Sequence, residues 1–212
     1  RQYDTDGDGL SDGREDADRD GMWDDEETDP LEFDTDGDGI DDGWETRYST
    51  DEHCDPETSE RLDPLDPSDA TEDIDSDGLT SVEEYRLTAN GSVDGEGNLN
   101  RTVPCHPDSD SDGIYDGVEA FSQFGSQRGT NPNLADSDHD GLHDGIEDAN
   151  HDGQWQFETE TNPRLRDTDG DWLLDGKEDA NRNGAVDSGE TDPLEPDTDQ
   201  DALDDGPELQ LL

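Results

Sequence analysis

Carboxylates at alternating spacing are the residues of this chain that could do chemistry. In DTDGDGLSDGRE, counting Asp4 as position 1, they fall at Asp4, Asp6, Asp8, Asp12 and Glu15, which are positions 1, 3, 5, 9 and 12. Gly9 takes position 6 and Leu10 position 7. A twelve-residue EF-hand-type loop offers oxygen ligands from these positions: side chains at 1, 3 and 5, a backbone carbonyl at 7, a water-bridged group at 9 and a bidentate Glu at 12. The glycine supplies a sharp turn that a side chain resists. The chemistry implied is capture of a hard cation, and Ca²⁺, which takes about six to eight oxygens in a forgiving geometry, suits it.

The pattern recurs ten times. Directly after the first loop come Asp16, Asp18, Asp20, Met22, Asp24 and Glu27, and after the connector TDPLEF come Asp34, Asp36, Asp38, Ile40, Asp42 and Glu45. The next loop offers Asp73, Asp75, Asp77, Leu79 and Glu84, with Ser81 at position 9 able to act through water. Two more follow: Asp108, Asp110, Asp112, Ile114, Asp116 and Glu119, then Asp136, Asp138, Asp140, Leu142, Asp144 and Glu147. A second tandem loop starts at once with Asp148, Asn150, Asp152 and Gln154; one inserted residue makes Glu160 its closing ligand, with Glu158 as competitor. Asp167, Asp169, Asp171, Leu173, Asp175 and Glu178 lead into Asp179, Asn181, Asn183, Ala185, Asp187 and Glu190. The last loop holds Asp197, Asp199, Asp201, Leu203, Asp205 and Glu208. Asp is roughly a fifth of the chain, so chance would produce about two DxDxD triplets, not a register repeated in loop after loop.

Departures rank the sites. Trp172 and Ala202 stand at position 6, so those loops must turn differently or carry strain. Asn181 and Asn183 remove charge and weaken their loop.

Composition shows what must position these groups. The formal net charge is -54 over 212 residues, and only 24% of residues are hydrophobic and 6% aromatic. Burial alone cannot offset the entropy of ordering such a chain. Two carboxylates about 4 Å apart repel by roughly 4 kcal/mol at an effective dielectric near 20, so the acids oppose folding until a cation sits between them. The expected fold class is therefore a mostly irregular, elongated, calcium-stapled repeat array with short helical turns, little strand and no conventional hydrophobic core. The charge repels nucleic acid and anionic membrane surfaces, and no apolar run approaches the roughly 20 residues of a membrane span.

DTDGDGLSDGRE, TDPLEF and DTDGDGIDDGWE together resemble the thrombospondin type 3 repeat in its bacterial and archaeal form, and DIDSDGLTSVEEY is similar to a dockerin-type loop entering a helix. The resemblance covers most of the chain. It implies an extracellular calcium-stapled array in which adjoining motifs can share ions, and it implies no catalysis.

On this reading residues 1–45 and 108–212 are calcium repeats and 73–84 a single loop, separated by inserts at 46–72 and 85–107. Each insert holds one cysteine. In an oxidising compartment Cys54 and Cys105 are expected to form a disulfide; a zinc site with His53 and His106, or free thiols, are the alternatives. Helical turns are expected over 81–87 and 117–124, and a hairpin over 90–100. The aliphatic position-7 residues, Leu10 to Leu203, should form a thin ladder between repeats. Trp23 and Trp155, at position 8 of matching loops, are expected to pack on neighbours, with glycan binding as the sharper alternative.

No HExxH or phosphate loop occurs and the five His are scattered, so no enzyme is expected. The expected function is an extracellular calcium-rigidified rod or spacer of a cell-surface or adhesion assembly. The array begins three residues before one loop and stops four after another, which also suits a subunit of a head-to-tail fibre, although an excerpt of a longer chain would show the same ends. The alternative is a module binding a glycan or protein on a calcium-supported scaffold.

Overall fold

The computed structural model describes residues 3–24, 26–49, 54, 62–89, 102–121 and 129–209. It forms two compact units, Arg1–Pro107 and Asp108–Leu212. Both are mostly irregular. The described helices are short: α1 (Asp12–Glu15), α2 (Asp42–Ser49), a 3-10 turn (Asp69–Thr71), α3 (Ser81–Ala89), α4 (Asp116–Phe121), α5 (Asp144–Glu147), α6 (Asp175–Glu178) and α7 (Asp205–Leu209). Among the described residues, pairing in the manner of a sheet takes the form of isolated bridges, such as Val103 with His106 and Ser188 with Glu190.

Side-chain oxygens do the work that a ladder of backbone bonds does elsewhere. In the loop at Asp34, the N–H groups of Gly37 and Gly39 donate to the two oxygens of Asp34 at 2.8 and 3.0 Å. Asp38 N–H donates to Asp36 Oδ1 at 3.1 Å, and Ile40 N–H to Asp38 Oδ1 at 2.8 Å. The loop at Asp136 repeats all four bonds. Position 1 thus spends both oxygens on holding the turn, and positions 3 and 5 spend one each.

Closure is also a repeated device. The position-9 N–H reaches back to the carbonyl before the loop: Asp42 to Phe33 at 3.3 Å, Asp144 to Ala135 at 3.0 Å, Asp175 to Arg166 at 3.1 Å. The position-2 hydroxyl then grips the position-9 carboxylate. Thr35 donates its N–H to Asp42 Oδ1 at 2.8 Å and its hydroxyl to Asp42 Oδ2 at 2.6 Å, and Thr168 does the same to Asp175. The connector docks on this hydroxyl through Asp29 N–H at 2.9 Å, as Asn162 and Asp192 do further along. In the tandem loops at Asp16, Asp148 and Asp179, position 2 is Ala, and no helix follows among the described residues.

Position 6 makes a left-handed turn even without glycine. Trp172 and Ala202 adopt φ of 80 and 77° and donate to position 1 as the glycines do, at 3.0 and 2.9 Å. Of the two outcomes left open by the sequence, the loops keep the turn and carry the strain. Position 4 is left-handed as well, at Arg19, Ser76, His139 and others, a requirement the sequence conceals because glycine stands there only at Gly7, Gly37 and Gly170.

The apolar ladder is buried at Leu10, Ile40, Leu79, Ile114 and Leu142, while Leu203 is exposed. The expectation of no conventional core requires correction in the first unit. Ile40, Trp44, Tyr48, Leu62 and Ala70 form a buried cluster, with Ile74, Val82, Tyr85, Val103 and Cys54 packed against it. Trp44 and Tyr48 stand one helical turn apart on α2, which lacks internal Gly and Pro after Gly43 and therefore runs on to Ser49, past the repeat boundary drawn at residue 45. Trp44 meets Tyr48 and Tyr85 edge-on, at 4.9 and 5.4 Å between ring centroids. Cys54 and Cys105 form a disulfide with Cα atoms 5.3 Å apart, which removes the zinc and free-thiol alternatives. The expected helix at 81–87 is α3, and that at 117–124 is α4; Phe124, His53, the hairpin at 90–100 and the Glu208 side chain lie outside the described residues.

Candidate metal centres

The loop geometry gathers carboxylates into two kinds of cluster. The first is internal to a loop: Asp4, Asp6 and Asp8, or Asp34, Asp36 and Asp38, each offer an oxygen within 4.8 Å of the others. The second joins loops about one thirty-residue period apart, past the tandem loop at Asp16 in the first case. Asp8 and Glu15, positions 5 and 12 of one loop, meet Asp42, position 9 of another, within the same distance. Asp42, held by Thr35 at position 2 of its own loop, is presented to the preceding repeat.

The join is made by backbone at position 10. Gly145 N–H donates to Asp112 Oδ2 at 3.2 Å, Gly176 N–H to Asp140 Oδ2 at 3.0 Å and Gly206 N–H to Asp171 Oδ2 at 2.6 Å. A Cβ on Gly176 would lie 2.8 Å from the Asp140 carbonyl oxygen, and one on Gly43, Gly145 or Gly206 would strike the carbonyl of Asp8, Asp112 or Asp171. These glycines are close approaches between repeats.

Many carboxylate oxygens so gathered are buried and lack partners. Glu15, Glu45 and Glu147 are 2%, 0% and 1% exposed, and neither oxygen of any of them accepts a hydrogen bond. Oδ2 of Asp6, Asp8, Asp36, Asp38, Asp110, Asp138 and Asp169 is likewise buried and unpaired. Burial first, and neighbouring carboxylates second, push Glu15 up to about 7, Glu45 to about 10 and Glu147 to about 11. Asp175 is among the acids that raise Glu147, which shows the clustering across a joint in the second unit too. A buried ionised group without hydrogen bonds costs several kcal/mol. Divalent cations seated among these oxygens remove that cost, so the donor set fits a hard metal ion.

The tandem loops differ. Asp16, Asp18 and Glu27 form a cluster, and Asp18 N–H donates to Glu27 Oε1 at 2.8 Å. In the loop at Asp148, Glu160 is buried and accepts Gln156 N–H at 3.2 Å, whereas Glu158 is exposed. Trp23 and Trp155 donate their indole N–H to the carbonyls of Glu27 and Glu160, at 3.0 and 2.9 Å, and so fasten the closing Glu. In the loop at Asp179 the amides of Asn181 and Asn183 both donate to Asp187 Oδ2 at 2.9 Å, and residues 181–189 are exposed. That loop meets its own charge with amides. Met22, Gln154 and Ala185 at position 7 are exposed, and Leu173 is half-buried.

Sequence reasoning missed the position-2 residues Thr5, Thr35, Ser109, Ser137, Thr168 and Thr198, and it missed Asp69. The former have a signal: stacking the loops by register shows Thr or Ser at position 2 wherever a helical turn starts with Asp at position 9. Asp69 has none, because it lies outside any loop.

Comparison of the chain with protein-family models, with curated proteins and with solved structures finds no match to any of them.

Proposed function

We propose that this protein is a calcium-binding structural protein that works outside the cell as a calcium-rigidified spacer of a surface or adhesion assembly. The observation that carries the reading is the recurrence, in register, of buried carboxylate oxygens without partners: both oxygens of Glu15, Glu45 and Glu147 at position 12, and Oδ2 of Asp6, Asp36, Asp110, Asp138 and Asp169 at position 3. Calcium would be held within a loop by positions 1, 3 and 5, as in Asp34, Asp36 and Asp38, and across loops by positions 5 and 12 with the next position 9, as in Asp8, Glu15 and Asp42. The ion supplies positive charge and oxygen coordination where burial supplies little. Extracellular calcium, near the millimolar range, fills even weak sites of this type. The Cys54–Cys105 disulfide is compatible with that compartment, and no helix among the described residues is long and apolar enough to cross a membrane. The motif resemblance to thrombospondin type 3 repeats points the same way. As for glycan binding by Trp23 and Trp155, their bonds to the closing Glu carbonyls already give these residues a part in the loops.

The test is isothermal titration of the chelated protein with calcium, with circular dichroism on the same samples. Uptake of several ions with a gain of ordered structure is expected. A chain equally ordered in chelator and calcium overturns the reading.

A further inference from the structure

The second kind of cluster needs a position-9 Asp from a following repeat, yet the loop at Asp34 is followed by an insert rather than a repeat. Its cluster is complete nonetheless. Asp38, Glu45 and Asp69 each offer an oxygen within 4.8 Å of the others. Asp69 opens the 3-10 turn within RLDPLDPSDATED and is 5% exposed. Asp63 N–H, six residues upstream, donates to Asp69 Oδ2 at 2.7 Å, much as Thr35 N–H grips Asp42 from seven residues upstream at 2.8 Å. The other oxygen, Oδ1, is buried without a partner, as are Asp38 Oδ2 and both oxygens of the fully buried Glu45.

We propose that Asp38, Glu45 and Asp69 form a divalent-cation site, of calcium type, through which the insert is pinned to the loop at Asp34. The insert copies the part a neighbouring repeat plays, with unrelated sequence. Three carboxylates against one dication leave a single negative charge, and Asp36, which feels Asp69 electrostatically, stands beside the cluster. The same segment is held by two further means. Leu62 and Ala70 enter the apolar cluster with Ile40, Trp44 and Tyr48, and Cys54, disulfide-bonded to Cys105, packs against it. The apolar contacts orient the 3-10 turn and the ion closes it, so residues 62–72 order in the calcium step that orders the loop at Asp34.

This inference rests on the calcium reading above, and the test separates the two. The full chain, Asp69→Asn and the control Glu72→Gln, which removes an exposed acid of the same segment, are titrated calorimetrically with calcium. Asp69→Asn should weaken one site by about tenfold or more, because a carboxylate ligand is lost while the amide oxygen still accepts Asp63 N–H; Glu72→Gln should bind like the parent. Hydrogen exchange on the unmutated chain provides a second readout that does not depend on the variant folding: amides of 62–72 and 36–45 should gain protection at the same calcium concentration. A parent chain that binds no calcium sinks the wider reading. A parent that binds calcium, while Asp69→Asn gives its isotherm unchanged or 62–72 is equally protected in chelator, overturns this proposal alone.

Discussion

Gly206 gives its N–H to Asp171 Oδ2 at 2.6 Å across 35 residues, and at that point a side chain on the glycine would strike the Asp171 carbonyl. Position 10 is therefore where one repeat rests on the one before it.

Gly206→Ala or Gly145→Ala should cost about 1–3 kcal/mol through overpacking, read as a lower midpoint of thermal or urea unfolding in calcium. Gly13→Ala is the matched control: it holds the same register position with nothing within 4 Å of an added Cβ. Its helix propensity should make it neutral or stabilising by up to about 1 kcal/mol. Equal losses at all three positions would refute a joint at position 10.

Thr168→Val deletes the hydroxyl that donates to Asp175 while keeping the shape. A loss of about 1–2 kcal/mol is expected from the unmade bond, together with weaker calcium binding, and Thr168→Ser should restore both. Calorimetry on the two variants checks this; a valine protein that binds like the parent would leave the hydroxyl without the assigned role.

Trp172 is 81% exposed and left-handed at φ 80°. Trp172→Gly should raise the melting midpoint, since about 1–2 kcal/mol of backbone strain outweighs the entropy of one added glycine, about 0.5–1 kcal/mol. A fall in the midpoint would mean that the indole has a contact worth more than the strain.

How much of this was legible follows from where each constraint is written. Positions 1, 3, 5, 6 and 12 announce themselves, since metal-type oxygens and a forced turn permit few residue types. Position 9 was legible as an acid but not as a gift to the preceding repeat, because a period of roughly thirty residues does not say which neighbour a side chain faces. The buried cluster around Trp44 escaped notice for a related reason: its members come from a loop, two helices and both inserts, and a low average hydrophobic content hides a local concentration. Trp172 shows the limit on the other side, where an apparent violation of the glycine rule changed the strain and left the geometry alone.

Acid should oppose metal. The raised acids move from an ordinary 4.5 up to about 7 at Glu15 and about 11 at Glu147 in the folded chain. Between those limits the metal-free folded chain holds more protons than the unfolded chain, so its stability falls as pH rises through the window. Calcium must displace those protons, so its affinity should climb from pH 5.5 to 7.5 with proton release, measured as a dependence of the calorimetric heat on buffer ionisation enthalpy. Binding without proton release at pH 7 would show that the acids are already ionised.

Because Asp42, Asp144, Asp175 and Asp205 each lie against the repeat before them, the arrangement has a direction. A chain made from its N-terminus cannot finish a site until the following repeat has emerged: Asp112 waits for Asp144, Asp140 for Asp175 and Asp169 for Asp205. Order therefore trails synthesis by one repeat, and a truncation after Glu178 should lose metal binding at Asp169 although every residue of that loop remains. The growing chain has a leading edge one repeat short of complete.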